Sequence, residues 1–146
     1  MAIITFYEKP GCAGNNRQKE LLVRSGHSLV VLDLLSHPWN SKELRPFLGG
    51  KPANECFNAA APDVRDGFIN PSSFSDEEAM ALMVANPLLI RRPLMVIDGR
   101  YFQGFDTALL QSVISLDPMP GAEKVVEKLM SLDLDSCAHP STETCN

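Results

Sequence analysis

Apolar and polar positions alternate along this chain with two different periods. The β-branched and aromatic run at residues 2–6, AIITF, is bounded by Glu8-Lys9-Pro10-Gly11 and predicts a buried strand ended by a turn. A helix is predicted next. Gly14-Asn15 opens it, Gln18, Leu21, Leu22 and Ser25 share one face, and Gly26 closes it in the left-handed conformation. Residues 29–34, LVVLDL, predict a second buried strand, so the first third reads β-α-β.

The middle of the chain changes character. Asn40 and Glu43 predict a reciprocal capping pair for a helix that stops near Gly49-Gly50. Residues 53–60, ANECFNAA, predict a short helix, and the Pro-, Gly-, Asn- and Asp-rich residues 61–73 predict loop. Ser75 and Glu78 predict a second capping box, opening a helix with Ala79, Met80, Leu82 and Met83 on one face and ended by Asn86-Pro87. A β-hairpin follows, LMVI and RYFQ around Asp98-Gly99, a dipeptide suited to a two-residue turn with positive φ at both positions. Residues 105–115 predict a helix burying Leu109, Leu110, Val113 and Ile114, and residues 122–131 a further weakly amphipathic one. From Asp133 the chain is polar and short of apolar anchors, which predicts a frayed tail.

With 146 residues and 45% apolar content, the chain suits one globular domain with a full core. A net charge of -5 and scattered basic residues argue against nucleic-acid binding. The first residues carry no basic leader followed by a long apolar run, and no segment approaches the ~20 apolar residues of a membrane span. A cytoplasmic protein is expected. Four cysteines, Cys12, Cys56, Cys137 and Cys145, form no CxxC and suit neither a disulfide scaffold nor a structural zinc site, and His27 and His37 have no partner at ligand spacing.

Cys12 is the residue that draws attention, because it sits where the first strand turns into the first helix. An isolated cysteine is more often a small buried hydrophobe than a nucleophile. The Pro-Gly-Cys turn before a helix, together with the order of elements, reverses that preference. The thiolate is the nucleophile, and a free thiol with pKa about 8.5 is only slightly ionised at neutral pH. A helix N-terminus contributes roughly 0.3–2 kcal/mol toward an anion, so a nearby cation is expected to add to it. Arg17, five residues on, is one candidate, and the resemblance described below implies Arg92 as the other. Cys56 is expected to serve packing, and Cys137 and Cys145 to be surface thiols. A tyrosine-phosphatase loop needs its arginine six residues after the cysteine, and Arg17 is five on; a thioredoxin-type dithiol needs a second cysteine at position 15, which is Asn15. A GxxxxGK phosphate loop is absent.

The element order, β-α-β, helical insert, β-β-α, is that of an α/β thioredoxin-like fold with an inserted subdomain. Residues 4–12, ITFYEKPGC, and residues 86–106, NPLLIRRPLMVIDGRYFQGFD, with the insert between, resemble the ArsC/Spx group of arsenate-reductase-like proteins over about residues 2–115. FYEKPGCxxNxRQK together with FNxAAP is most similar to its nitrogenase-associated subgroup. The resemblance implies a thioredoxin-fold domain over 2–116 with its insert at about 40–87, a linker and extra helix at 117–132, and a polar tail at 133–146. It implies a reactive Cys12, an Arg92–Pro93 cis bond beside it, and a substrate site drawn from Asn15, Asn16, Arg17, Asn58 and Pro93.

Relatives of the reductase type use three arginines on the oxyanion, since guanidinium forks match tetrahedral anions. Arg92 matches one. The second would fall at Asn58-Ala59 and the third at Gln103-Gly104, so efficient arsenate reduction is not expected. Three functions follow from the resemblance: an accessory protein of nitrogen fixation acting through thiol redox or thiol-dependent binding, a glutathione- or glutaredoxin-coupled oxyanion reductase, and an Spx-like regulator that binds a protein partner without catalysis. No bound cofactor is implied. Glutathione is the candidate co-substrate, and glutaredoxin or a component of the nitrogen-fixation machinery the candidate partner.

Overall fold

The computed structural model of the chain describes residues 1–135. Its frame is a four-stranded mixed sheet of order β2-β1-β3-β4. Strand β1 (Ile3–Glu8) pairs parallel with β2 (Ser28–Asp33) across helix α1 (Ala13–Arg24), and antiparallel with β3 (Leu94–Ile97), which forms the predicted hairpin with β4 (Arg100–Gln103). Asp98 and Gly99 both take positive φ, 50° and 75°, as that turn requires.

The strands sort their side chains by alternation. Ile4 and Phe6 of β1 and Met95 and Ile97 of β3 face a core built with Leu21 and Leu22 of α1, Leu110 of α5 (Thr107–Gln111) and Val126 and Leu129 of α6 (Glu123–Met130). Tyr7 and Leu94 face the opposite core, where the insert packs Trp39, Leu44, Phe47, Cys56, Met80 and Met83. The insert is a string of short turns: α2 (Ser41–Leu44) running into a 3-10 turn, a 3-10 turn at Ala53–Glu55, α3 (Pro62–Arg65), and α4 (Asp76–Ala85). Both halves of the Ser75–Glu78 capping box form, at 2.9 and 3.2 Å.

Several expectations are corrected by long-range packing. Residues 29–34 do not make a buried strand: β2 is the sheet edge, and Val30, Val31 and Leu32 are 47%, 42% and 38% exposed. The Asn40–Glu43 pair is one-sided. Asn40 caps the Glu43 N–H at 2.8 Å, but the Glu43 carboxylate turns to Nε2 of His37 at 2.9 Å. Residues 61–73 are not all loop, since α3 and a 3-10 turn at Pro71–Ser73 lie within them, each with a proline in its first turn. The helix expected at 105–115 is only the five residues of α5, and Leu109 points outward. The tail does not begin at Asp133: Leu134 is 5% exposed and joins the core beneath α1 and α6. His27 is a buried strut, accepting the Ala2 N–H at Nδ1 (2.9 Å) and bonding the Ser115 carbonyl through Nε2 (2.6 Å). Cys137 and Cys145 lie outside the described residues.

Candidate functional site

The turn that delivers Cys12 is specified by local chemistry. Proline presets the second position of a β-turn, and glycine supplies the positive φ of the third. Here Lys9-Pro10-Gly11-Cys12 closes with the Cys12 N–H on the Lys9 carbonyl at 3.1 Å, and Gly11 has φ 81°. Cys12 itself then becomes the N-cap of α1, with extended φ/ψ of -75° and 120°. The helix therefore opens at the cysteine, two residues before the expected Gly14-Asn15. The Asn15 N–H donates to the Cys12 sulfur at 3.5 Å, and the Cys12 carbonyl accepts the first helical bond from Asn16 at 3.0 Å. Serine, threonine, aspartate or asparagine normally fills this position. A sulfur placed there faces the otherwise unpaired N–H groups at the positive end of the helix dipole. Cys12 is 4% exposed.

Asn15 clips the turn from behind. Its Oδ1 accepts the Lys9 N–H at 3.0 Å and its Nδ2 donates to Oε1 of Gln18 at 2.9 Å. Gln18, also buried, donates Nε2 to the Leu134 carbonyl at 2.6 Å. Both polar ends of Asn15 are thus engaged within the protein, and its side chain holds the loop. Lys19 pairs with Glu8 at 2.5 Å along the same side of the turn.

Strand register decides what gathers beside the turn. Tyr7 of β1 lies opposite Leu94, and Leu94 opposite Gln103, so Pro93 and Gly104 fall at the end of the sheet from which the Cys12 turn departs. The Gly104 N–H bonds the Pro93 carbonyl at 2.9 Å, and the Arg92–Pro93 bond is cis. The residues before it are held by the insert. The Asn58 N–H bonds the Leu89 carbonyl (2.8 Å), the Arg91 N–H bonds the Cys56 carbonyl (3.2 Å), and Gln103 Nε2 reaches the Arg91 carbonyl (3.1 Å). Asn58, buried, accepts the Ala60 N–H at Oδ1 (3.0 Å). Burial raises the pKa of Cys56, as expected of a thiol that serves packing.

Among the residues expected at the site, the structure brings Cys12, Asn15, Arg92 and Pro93 to one end of the sheet, with Asn58 tied to it through Leu89. Asn16 and Arg17 are exposed on α1, and Asn16 lines a surface groove with Val23, Arg24, Val31 and Met119. Two participants escaped the sequence reading. Arg91 pairs with Asp135 at 2.7 Å (Nη2 to Oδ2), and Asp135 Oδ1 accepts the Phe105 N–H at 2.6 Å. Gly104 makes room for them: its φ is 81°, and a Cβ there would lie 2.9 Å from Asp135 Oδ1 and 3.2 Å from the Arg91 guanidinium. The position expected to match a third clamp arginine is therefore filled by an internal ion pair. A charged residue just after an isolated leucine, Leu134-Asp135, was the only local signal for it. No group of three or more His, Cys, Asp or Glu side chains is arranged to hold a metal among the described residues.

A β-α-β unit, a β-hairpin, a cysteine capping the first helix and a cis-proline at the same end of the sheet define a thioredoxin-like protein. The chain belongs to the ArsC family, whose model matches residues 11–113. It is 46% identical over 116 residues to an uncharacterized 15.7 kDa protein in the draG 3' region of Rhodospirillum rubrum, covering 80% of this chain and 81% of that one. It is 25% identical to an arsenate reductase of Acidiphilium multivorum, covering 85% and 86%. Among solved structures, an ArsC family related protein from Bacteroides fragilis superposes with a TM-score of 0.66 at 20% identity, covering 76% of this chain and 98% of that one. This likeness shows the thioredoxin-like fold.

Proposed function

We propose that this chain is a cytoplasmic accessory protein of nitrogen fixation that works through Cys12, by thiol redox exchange or thiol-dependent binding of a protein partner. The observation that carries the reading is the cap. Cys12 is placed as acceptor for an N–H at the N-terminus of α1, while Cys56 is a buried thiol in the other core whose pKa burial raises. The nitrogen-fixation context is supported by the similarity to the protein of the draG 3' region, a neighbourhood linked to nitrogen fixation. The test is capture. Protein bearing Cys12 or Cys12→Ser is used as bait in extracts of cells grown with and without fixed nitrogen. A partner retained as a reducible adduct by Cys12 alone, and only in fixing cells, is the expected result. No Cys12-dependent adduct would refute the reading.

A second reading, a glutathione- or glutaredoxin-coupled oxyanion reductase, is favoured by the similarity to the Acidiphilium arsenate reductase. It has Arg92 in its support, but Asn58 and Gly104 stand where further guanidinium groups would be needed. Each missing charge-assisted bond is worth about 1.5–3 kcal/mol, so affinity for a tetrahedral oxyanion falls by orders of magnitude. Turnover of arsenate with glutathione and glutaredoxin distinguishes the two, and negligible turnover is expected.

A further inference from the structure

Cys12 is buried, yet the function proposed for it requires a second molecule to reach its sulfur. Something at the site must therefore move. The chain of hydrogen bonds that starts at Cys12 ends in the C-terminal segment. The Asn15 N–H meets the sulfur, the Asn15 amide meets Gln18, and Gln18 meets the carbonyl of Leu134, which is 116 positions away in sequence. One residue further, Asp135 bonds the Phe105 N–H and pairs with Arg91, immediately before the Arg92–Pro93 bond. The Asp135 N–H donates to Asp133 Oδ1 at 3.1 Å, which folds the segment back on itself and presents the carboxylate. This segment is thus pinned on both sides of the site, by α1 on one and by the segments flanking β3 and β4 on the other.

The two pins differ in strength. The Gln18–Leu134 bond is buried, and the Leu134 side chain is held in the core. The Arg91–Asp135 pair has side chains 38% and 36% exposed, so water and salt weaken it. Release of the catch leaves the Gln18–Leu134 bond as the segment's remaining hydrogen bond to α1, so the segment loosens on Gln18, and through it on Asn15 and the Cys12 turn, without unfolding the core. Cys56 lies in the other core, on the opposite face of the sheet; its carbonyl accepts the Arg91 N–H, but its sulfur becomes accessible only when the insert core opens.

We infer that residues 133–135 are a latch on Cys12: Asp135 is the catch on Arg91 and the Phe105 N–H, and Gln18 is the positioning residue through which the docked segment holds Asn15 and the Cys12 turn. The inference rests on Cys12 being the reactive group. An anion that competes for Arg91, whether a carboxylate on a partner or a free oxyanion, opens the latch, so binding of such a group and exposure of the thiol are coupled.

The test is iodoacetamide labelling of the full-length native chain, with Cys12 and Cys56 peptides followed separately by mass spectrometry. Asp135→Asn and Gln18→Leu are each expected to raise the Cys12 labelling rate about three- to tenfold, the effect of losing one hydrogen bond, and to leave Cys56 unchanged. Raising sodium chloride from about 0.1 to 1 M shortens the screening length from about 10 to 3 Å. It is expected to accelerate Cys12 labelling in the unaltered chain and not in Asp135→Asn, while Asp135→Glu retains the salt response. Rapid Cys12 labelling at one rate in all chains would overturn the latch and leave the reactive-cysteine reading standing. A parallel rise at Cys56 would reduce the effect to general destabilisation and also overturn it. Labelling of Cys12 no faster than Cys56 in every chain would overturn both.

Discussion

The backbone N–H of Asn15 points at the sulfur of Cys12 from 3.5 Å, in the position where a helix usually meets a hydroxyl or carboxylate oxygen. The cap makes structural and chemical demands on Cys12 that substitution can separate. Sulfur is a weak acceptor and serine a good N-cap. Cys12→Ser is expected to match or exceed the stability of the unaltered protein in urea unfolding. Cys12→Ala should be less stable than Cys12→Ser by about 0.5–2 kcal/mol. Both should lose every thiol-dependent activity. Equal stability of the two variants would mean that the cap contributes nothing.

Gly104 is closed to the arginine that reductase-type relatives would suggest. A side chain there meets both a positive φ of 81° and the Arg91–Asp135 pair at 2.9–3.2 Å. Gly104→Ala is expected to lower the unfolding free energy by about 1–3 kcal/mol, and Gly104→Arg to displace Asp135 rather than add an oxyanion contact. Ala59→Arg, at an exposed position, should fold normally. Denaturant unfolding and arsenate turnover of the single variants check this. A well-folded, active Gly104→Arg would contradict it.

The exposure of β2 is testable against the burial of β1. Val31→Lys should change stability by less than about 0.5 kcal/mol, because at the strand edge that side chain is 42% exposed and a lysine there can reach water. Phe6→Ala, at a fully buried position on the central strand, should cost about 3–5 kcal/mol. Urea midpoints at constant m-value give the comparison. A large loss for Val31→Lys would show that something covers the edge in solution.

Asp76 ties the insert together, and its pH dependence has a definite sign. Arg45 grips the carboxylate at 2.7 and 2.8 Å and the Ala53 N–H donates to it at 2.6 Å, which lowers its pKa from 3.8 to about 2. A depressed carboxylate contributes stability that is present above the unfolded value and lost as pH falls through the folded one. Unfolding midpoints should therefore fall between about pH 4 and pH 2, and Asp76→Asn should flatten that part of the profile. The effect is small, because both side chains are partly exposed. An unchanged acid profile in Asp76→Asn would remove Asp76 from the account.

Much of the framework was legible in the sequence because its causes are local. The Pro10-Gly11 turn, the Ser75–Glu78 box, the Asp98-Gly99 hairpin and the Asn86-Pro87 stop each depend on residues within four positions of one another. Period and order gave the β-α-β and hairpin units. The run of Val30, Val31 and Leu32 misled for a physical reason: apolarity marks a strand, but only its neighbours decide whether it lies inside or at the edge.

By itself, then, the sequence determined the strands, α1, α4 and the hairpin, the thioredoxin-like order and the placement of Cys12 at a helix N-terminus, since turn and cap chemistry act over a few residues. Only the tertiary structure decided what surrounds that sulfur. Register at one end of the sheet sets Pro93 and Gly104 beside each other, the insert holds Arg91 through the Cys56 carbonyl, Leu134 returns across more than a hundred residues to close on Gln18, and Asp135 closes on Arg91. A leucine followed by an aspartate in an otherwise polar stretch is the only local signature of that return. It arises because the core beneath α1 and α6 buries Leu134, and the open face of Gly104 leaves room for Asp135 against Arg91.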